Sequence, residues 1–164
     1  MLDPAQTRSF VIEPTLKLLA RVEPRLDQPA AVELVLGTMI EESTVGGKTF
    51  LRQIPNGPAR SPFQMEPATH RNHRRWLQRR PDWLAVVDSL LVPGMSAPEQ
   101  LTWNLAYACA MCRIHYWKVP HALPDVDDVM GMARYWKAHY NTVLGKGRPE
   151  RWVRTYRRHV LPTR

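Results

Sequence analysis

Residues 29–43 of this 164-residue chain read PAAVELVLGTMIEES, and this stretch predicts an apolar helix over residues 30–43. Pro29 suits the start of a helix, because proline lacks the N–H group that the first turn leaves unbonded anyway. The glycine pair at 46–47 then ends the helix. Glu33 interrupts the apolar run, which is also too short to span a bilayer.

Prolines separate this helix from several others. The chain has 15 prolines and only 8 glycines, which is about 9% proline against an average of ~5%. Ser96 and Glu99 form a capping box, in which a serine begins a helix and a glutamate three residues later bonds back to it. Apolar residues then recur with a helical period until Pro120. Further helices are predicted at 14–22, from Thr69 through Leu77, from Pro81 to about Pro93, from about 125 to 140 and from 149 to 160.

Residues 44–68 differ in kind from the rest of the chain. Their glycines and prolines leave room only for loops or a short irregular β-hairpin. A chain of this length is expected to form one domain, residues 1–164, in which 1–28 supply an N-terminal helix and a linker. The sequence therefore predicts a mainly α domain with one loop-rich insert, at 44–68, between its early helices.

Composition excludes several classes of protein. Hydrophobic residues make up 44% and charged residues 23% of the chain, which argues against intrinsic disorder. Basic residues outnumber acidic ones by 23 to 15, so the net charge is +8 and an anionic partner is favoured, either nucleic acid or the bacterial envelope. The N-terminus carries an early acid and no apolar segment, so we expect no signal peptide and no membrane span.

Two adjacent acids, Glu41 and Glu42, lie at the C-terminal end of the apolar helix, where the helix dipole disfavours negative charge. The dipole, the neighbouring like charge and burial each raise the pKa of a carboxyl group. A glutamate that donates a proton near neutral pH needs such a raised pKa. Periodicity does not separate the two, because neighbours on a helix differ by about 100°. Two readings stay open at this point, a catalytic acid or two solvated glutamates before a loop.

Several short motifs resemble the lytic transglycosylase branch of the lysozyme-like superfamily. Glu42-Ser43 resembles the catalytic glutamate of that family, which is followed by serine. Gln64 and the Pro-Ala-Thr run at 67–69 match its second motif, and Tyr140-Asn141 resembles its Ala-Tyr-Asn-Ala-Gly motif. The motif order is right, the likeness covers roughly residues 34–158, and small phage-encoded proteins of this kind are the most similar.

This resemblance implies a fold like that of goose-type lysozyme and the lytic transglycosylases. The implied activity is cleavage of peptidoglycan at the β-1,4 bond between N-acetylmuramic acid and N-acetylglucosamine, without a cofactor or metal ion. The resemblance makes Glu42 the catalytic residue, has Tyr140 hydrogen-bond and orient it, and has Gln64 contact the sugar. The other implied substrate-binding residues are Ser43, Phe63 and Asn141.

The distribution of acids favours a transglycosylase over a hydrolase, that is, a muramidase. Retaining and inverting glycosidases place two carboxylates across the scissile bond, yet no Asp or Glu lies between Ser43 and Met65. A scheme with one carboxylate fits better. Glu42 protonates the leaving oxygen and then takes the proton of the C6 hydroxyl of muramic acid, whose oxygen closes a 1,6-anhydro ring. Glu66 is the alternative second acid.

The chain departs from the family pattern at Ser61-Pro62-Phe63, where the family has Gly-Leu before its aromatic residue or Met. Proline stiffens the backbone, and the lost glycine removes easy access to positive φ, so a different loop path is expected. Phe63 either stacks on a sugar face or fills the core. This departure motivates a second hypothesis, a catalytically inactive lysozyme-like protein that is a structural part of the virion or binds peptidoglycan.

Two other sets of residues could carry a function. Cys109, Cys112 and His115 share a helical spacing and could hold zinc with His70 and His73, but cysteines on an apolar stripe are more simply core residues, so we predict no metal. Basic residues form two clusters, for which three interpretations stay open. The clusters are solvated helix faces, or they contact anionic envelope polymers or phage structural proteins, or they contact nucleic acid. The clusters are Arg71, Arg74, Arg75, Arg79 and Arg80, and Lys146, Arg148, Arg151, Arg154, Arg157 and Arg158.

The leading hypothesis is therefore a phage virion-associated enzyme that opens the cell wall locally during genome entry. Its expected partners are peptidoglycan glycan strands and other virion proteins of the tail or ejection apparatus. We expect it in the virion, or in the host cytoplasm after synthesis, acting in the periplasm or cell wall. A basic DNA-binding protein is the third and weakest hypothesis, because no standard DNA-reading motif accompanies the charge.

Overall fold

A computed structural model describes residues 2–142 and 145–164, which are mainly helical, as predicted. Helices α1 to α5 are Pro4–Thr7, Glu13–Leu19, Pro29–Ser43, Pro67–Gln78 and Pro81–Asp88. Helices α6 to α9 are Ala97–Trp103, Leu105–Trp117, Val129–Trp136 and Pro149–Thr155. Three π-helical segments lie at Arg8–Ile12, Lys137–Asn141 and Tyr156–Val160, and two 3-10 turns at Pro24–Leu26 and Leu161–Thr163. Strands β1 and β2 are Thr44–Val45 and Lys48–Thr49.

Helix α3 runs through the centre of the molecule and spans the predicted segment. Its side chains are buried on all sides from Ala31 to Ile40, because α7, α8, α9 and the N-terminal helices surround it. A helix that is apolar all round is typical of such a central position. Gly37 lets α9 approach closely, since a Cβ at this position would lie 2.4 Å from Cζ2 of Trp152.

One acid of α3 ties both ends of the chain to the core. Glu33 is 3% exposed, and its carboxylate accepts hydrogen bonds from Arg8 at 2.8 Å and from the Tyr156 hydroxyl at 2.9 Å. Arg164 lies 3.3 Å from the same carboxylate. A buried charge is stable only when it is paired and hydrogen-bonded. The network therefore holds the N-terminal helix and the C-terminus against α3.

The predicted helix after residue 96 is divided in the structure. The capping box of Ser96 and Glu99 is confirmed, but Asn104 has ψ 94° and separates α6 from α7. Its side chain caps α7 by accepting a hydrogen bond from the Tyr107 amide at 3.0 Å. The prediction of one continuous helix is wrong here, because an asparagine that caps a new helix outweighs the continuing apolar stripe.

The boundaries of three other helices also differ from the predictions. Helical structure at the N-terminus begins at Pro4 instead of 14, because Pro14 does not start a helix but lies within a continuous helical run, just after the π-helical segment Arg8–Ile12. Helix α5 ends at Asp88, before the predicted end near 93. The segment predicted as a helix over 125–140 is capped by Asp128 and finishes in the π-helical segment Lys137–Asn141.

Of the two alternatives predicted for 44–68, loops or a short hairpin, the structure contains a short hairpin at the start of the segment. Strands β1 and β2 pair antiparallel, with Thr44 opposite Thr49, around two glycines of positive φ at 46–47. Beyond it, Ser61 has φ 67° although it is not a glycine, so the expectation that losing the glycine removes this conformation is wrong. The hydroxyl of buried Ser61 accepts a hydrogen bond from the Phe63 amide at 3.1 Å, which helps to offset the strain.

Candidate active site

Glu42 lies in the last turn of α3 and is partly exposed. Its Oε1 accepts a hydrogen bond from Nε1 of Trp136 at 2.9 Å and a longer one from Nδ2 of Asn141 at 3.4 Å. Within the described part of the chain, its Oε2 accepts no hydrogen bond. One oxygen of the carboxyl group is thus held by neutral donors, and the other is left for a ligand.

The side chain of Asn141 is oriented by its surroundings. Its Oδ1 accepts hydrogen bonds from Nζ of Lys137 at 2.9 Å and from the Gly147 amide at 3.2 Å. Both partners are donors, so the oxygen must face them and the NH2 group must face Glu42. Lys137 also donates to the carbonyl oxygens of Thr142 at 2.8 Å and Gly145 at 2.7 Å.

Two glycines leave room for this arrangement. A Cβ at Gly147 would lie 2.3 Å from Cη2 of Trp136 and 2.9 Å from Oδ1 of Asn141. A Cβ at Gly145 would lie 2.2 Å from the carbonyl oxygen of Asn141. Neither position accommodates a side chain without displacing a residue that holds Glu42. The Gly-containing turn after Tyr140-Asn141 therefore has a steric role at the site.

The structure separates the two adjacent glutamates, which periodicity could not do. Glu41 is 5% exposed, forms an ion pair with Arg151 and accepts a hydrogen bond from the Thr155 hydroxyl at 2.7 Å. Glu42 has no ion pair with any residue of 2–142 or 145–164. Glu41 is therefore a structural link between α3 and α9, and Glu42 is the residue available for chemistry.

The pKa of Glu42 is raised above the usual glutamate value, chiefly because burial penalises its charged form. The hydrogen bonds from Asn141 and Trp136 oppose this shift by stabilising the carboxylate. The charge of Glu41 adds to the rise, and that of Arg151 opposes it. The direction agrees with the sequence-based expectation and suits a group that donates a proton near neutral pH.

Tyr140 does not orient Glu42 through the hydrogen bond that the resemblance implied. Its hydroxyl donates to the carbonyl oxygen of Phe63 at 2.7 Å. Its ring packs against His115, with the ring centroids 4.8 Å apart, and against Tyr116 at 5.3 Å. Tyr140 instead ties the π-helical segment to the 61–65 loop, while Trp136 and Asn141 hold the carboxyl group.

Three other predicted substrate-binding residues serve the local structure. Phe63 is 1% exposed and packs in the core, so it offers no ring face to a sugar, and the core alternative is correct. Ser43 is 1% exposed, and its hydroxyl donates to the Met39 carbonyl at 2.7 Å, so it is closed to a substrate. The side-chain NH2 of Gln64 donates to the carbonyl of Ser61 at 2.8 Å; contact between Gln64 and a sugar stays a prediction.

Sequence reasoning missed Trp136 and Lys137 as parts of the site. The sequence does not single out Trp136, because each of the helices α4 to α9 contains one of the six tryptophans. One signal was available for Lys137. It precedes Asn141 by four residues, and side chains at this spacing meet on one face of a helix.

The residues considered for a metal site do not come together as a set of ligands, although His73 contacts His115. Cys109 and Cys112 are both fully buried, and burial raises the pKa of the Cys109 thiol to about 12, so a thiolate ligand is disfavoured. Nε2 of His115 lies 2.6 Å from the His139 carbonyl oxygen. Over the described ranges, no group of three or more His, Cys, Asp or Glu side chains could hold a metal ion.

Two cavities lie away from Glu42. One, of about 440 Å³, lies between α4 and α7, and the other, of about 750 Å³, lies beside Arg8 and Glu33. Glu42 lines neither of them. Among the helices described, none is long and apolar enough to cross a membrane.

No family model, no curated protein and no solved structure matches this chain. Any function must therefore be argued from the contacts around Glu42 and from the short motifs.

Proposed function

We propose that this protein cleaves peptidoglycan as a lytic transglycosylase of lysozyme-like fold, with Glu42 as its single catalytic acid and base. The observation that supports this proposal most directly is the state of the Glu42 carboxyl group. Its pKa is raised, it has no cationic partner within the described residues, and it is bound by Trp136 and Asn141 through one oxygen only. A solvated glutamate before a loop would need none of these features.

In the first step, protonated Glu42 would give its proton to the glycosidic oxygen that links muramic acid to N-acetylglucosamine. The bond from C1 of the muramic acid to that oxygen breaks, and the glucosamine unit leaves with a hydroxyl group. The raised pKa keeps the proton available for this transfer. The negative charge then left on Glu42 is stabilised by the N–H groups of Trp136 and Asn141.

In the second step, the Glu42 carboxylate would take the proton of the C6 hydroxyl on the same muramic acid. The C6 oxygen bonds to C1 and closes the 1,6-anhydro ring, so no water is consumed and Glu42 regains its proton. The position of Glu66 supports a scheme with one carboxylate. Glu66 is exposed at the start of α4, and it is not among the charges that shift the pKa of Glu42, as a carboxylate placed close to it would be.

The proposed biological role is local opening of the cell wall by a phage virion-associated protein during genome entry. The motif resemblance to small phage-encoded proteins supports this role. Peptidoglycan strands and other virion proteins of the tail or ejection apparatus would be its partners. The net charge of +8 favours association with a wall that carries carboxylates.

The alternative is a lysozyme-like virion or wall-binding protein without catalytic activity. One observation favours it, namely that the Tyr140 hydroxyl donates to the carbonyl oxygen of Phe63 and not to Glu42. Retained binding to purified cell-wall sacculi with no release of fragments would support this alternative over the enzyme.

The deciding experiment is mass spectrometry of the fragments released from purified sacculi. We expect anhydro-muramyl products from the wild-type protein and at least a ~100-fold lower release rate from Glu42→Gln, because the glutamine cannot transfer a proton. Glu66→Gln is the matched control, since it makes the same chemical change at an exposed acid, and it should keep near-normal activity.

Three results would contradict the proposal. Reducing-end products would make the protein a muramidase instead of a transglycosylase. A fully active Glu42→Gln variant would show that Glu42 is not the catalytic acid. An inactive Glu66→Gln variant would support a mechanism with two carboxylates, in which Glu66 is the second.

A further inference from the structure

The cavity between α4 and α7 has no acidic side chain among the described residues that line it. Its volume of about 440 Å³ falls in the range of small-molecule sites, roughly 300–1,000 Å³. Four of its lining residues, Thr69, Asn72, His73 and His115, carry polar side chains, and Lys118 carries a charge. The rest of its lining is Ala68 and Val119.

A chain of hydrogen bonds fixes the tautomers of the two histidines. Nε2 of His115 lies 2.6 Å from the His139 carbonyl oxygen, which can only accept, so Nε2 carries the hydrogen. Nδ1 of His115 must then accept from Nε2 of His73 at 3.1 Å. Nδ1 of His73 in turn accepts from Nζ of Lys118 at 3.1 Å. Burial lowers the pKa of His73 to about 3, so the ring is neutral, and every ring nitrogen in the chain is used.

Three of the groups that remain for a ligand can donate a hydrogen bond. Oδ1 of Asn72 already accepts from Nζ of Lys118 at 2.5 Å, which leaves the Asn72 NH2 group. Lys118 has one N–H beyond its bonds to Asn72 and His73. The hydroxyl of Thr69 bonds to no residue that the structure describes. Lys118 has no counter-ion there either, and burial, followed by the charge of Arg80, lowers its pKa.

We infer that this cavity is an anion-binding site, which takes the carboxylate or phosphate group of a small ligand on the donors of Lys118, Asn72 and Thr69. A cation would meet the charge of Lys118, would find no acid among the described lining residues, and would find no free ring nitrogen on His73 or His115. An anion would receive a charge-assisted hydrogen bond from the Lys118 ammonium group, which is stronger than a bond between neutral groups. The inference does not rest on the proposed enzymatic activity, since Glu42 lies outside the cavity.

Titration calorimetry of the full chain with inorganic phosphate and with acetate tests the site, with sodium chloride of equal ionic strength as the reference. We expect at least one of the two anions to bind the wild-type protein with measurable heat. Lys118→Gln should weaken that binding about tenfold or more, since it removes the one charged side chain among the described lining residues. Lys48→Gln is the control, because it makes the same charge change on the exposed β2 strand.

Asn72→Asp is the second variant. It keeps an oxygen for Lys118, places a negative charge in the cavity and lies at an exposed position, so it should fold and still lose the anion. Stronger binding of phosphate than of acetate would identify a phosphate ligand, and the reverse a carboxylate ligand. Binding no stronger than that of chloride would overturn the inference. Binding that survives both Lys118→Gln and Asn72→Asp would overturn it as well.

Discussion

Glu41 and Glu42 are chemically identical, and the difference between them comes from their neighbours. Glu41 meets a cation and a hydroxyl, Arg151 and Thr155, which compensate its charge inside the protein. Glu42 meets two neutral N–H donors, which stabilise a carboxylate less than a cation does. Burial therefore prevails at Glu42 and raises its pKa. A group in this balance can hold a proton and can also release it.

The indole N–H of Trp136 is predicted to set the pH range of activity. Trp136→Phe removes this donor and keeps an aromatic ring, so the carboxylate of Glu42 loses one stabilising bond. The pKa of Glu42 then rises further. A general acid loses activity as pH rises through its pKa, so the alkaline limb of the pH–rate profile should move up by roughly 1 pH unit. Release of fragments from sacculi, measured from pH 4 to 9, checks this.

Trp103→Phe is the matched control for this experiment. Trp103 is 44% exposed on α6 and forms no bond to Glu42, so the same substitution there should leave the profile unchanged. A limb that does not move in Trp136→Phe, or that moves to lower pH, would show that this hydrogen bond does not tune the acid.

Among the elements, the π-helical segment Lys137–Asn141 does most to position the site. A π-helical turn contains an extra residue, and such turns are frequent at functional sites. Here the His139 carbonyl accepts a hydrogen bond from His115, and Asn141 turns toward Glu42. Lys137 closes the segment by bonding three oxygens across it. The segment thus joins α7 to the end of α3.

The close contact between α3 and α9 is predicted to depend on the absence of a side chain at Gly37. Gly37→Ala would place a Cβ 2.4 Å from the Trp152 ring, which is fully buried. Overpacking of this kind costs about 1–3 kcal/mol in the free energy of unfolding. Trp152→Phe should relieve the clash, so the double variant should be more stable than the sum of the single changes predicts, by about 0.5–3 kcal/mol. Urea denaturation of the four proteins measures this coupling.

Gly37→Ala combined with Trp103→Phe serves as the control pair. The Trp103 side chain is exposed and is not what a Cβ at Gly37 would meet, so these two changes should add. If the changes in unfolding free energy also add for Gly37→Ala combined with Trp152→Phe, the α3–α9 contact accommodates the extra methyl group without strain.

At the scale of the whole molecule, local sequence patterns predicted secondary structure, but they did not predict contacts between residues far apart in the sequence. The helix predicted over 30–43 and the capping box at Ser96 follow from neighbours in sequence and are confirmed, and a short hairpin was one of the two alternatives for 44–68. The bond from Tyr140 to Phe63 joins residues 77 positions apart, and no local pattern encodes it. The raised pKa of Glu42 was predictable in direction, but its donors were not.

Two buried histidines make the stability of the whole protein sensitive to acid. Burial is the main cause that lowers the pKa of His70 to about 4 and that of His73 to about 3, whereas an unfolded chain titrates near the usual 6.5. Between these values the unfolded chain binds protons that the folded protein does not. The free energy of unfolding therefore falls as pH drops below about 6.5, and these histidines have no such effect above it.

The predicted loss is on the order of 2 kcal/mol for each histidine at pH 5. Urea denaturation at pH 7.5, 6 and 5 measures it as the slope of unfolding free energy against pH. His70→Phe loses the hydrogen bond to Tyr107, so it should be less stable at pH 7.5 yet show a shallower slope, since one titrating group is gone. His121→Gln changes an exposed histidine and should keep the wild-type slope. An equally steep slope in His70→Phe would mean that carboxyl groups, and not this buried imidazole, cause the acid sensitivity.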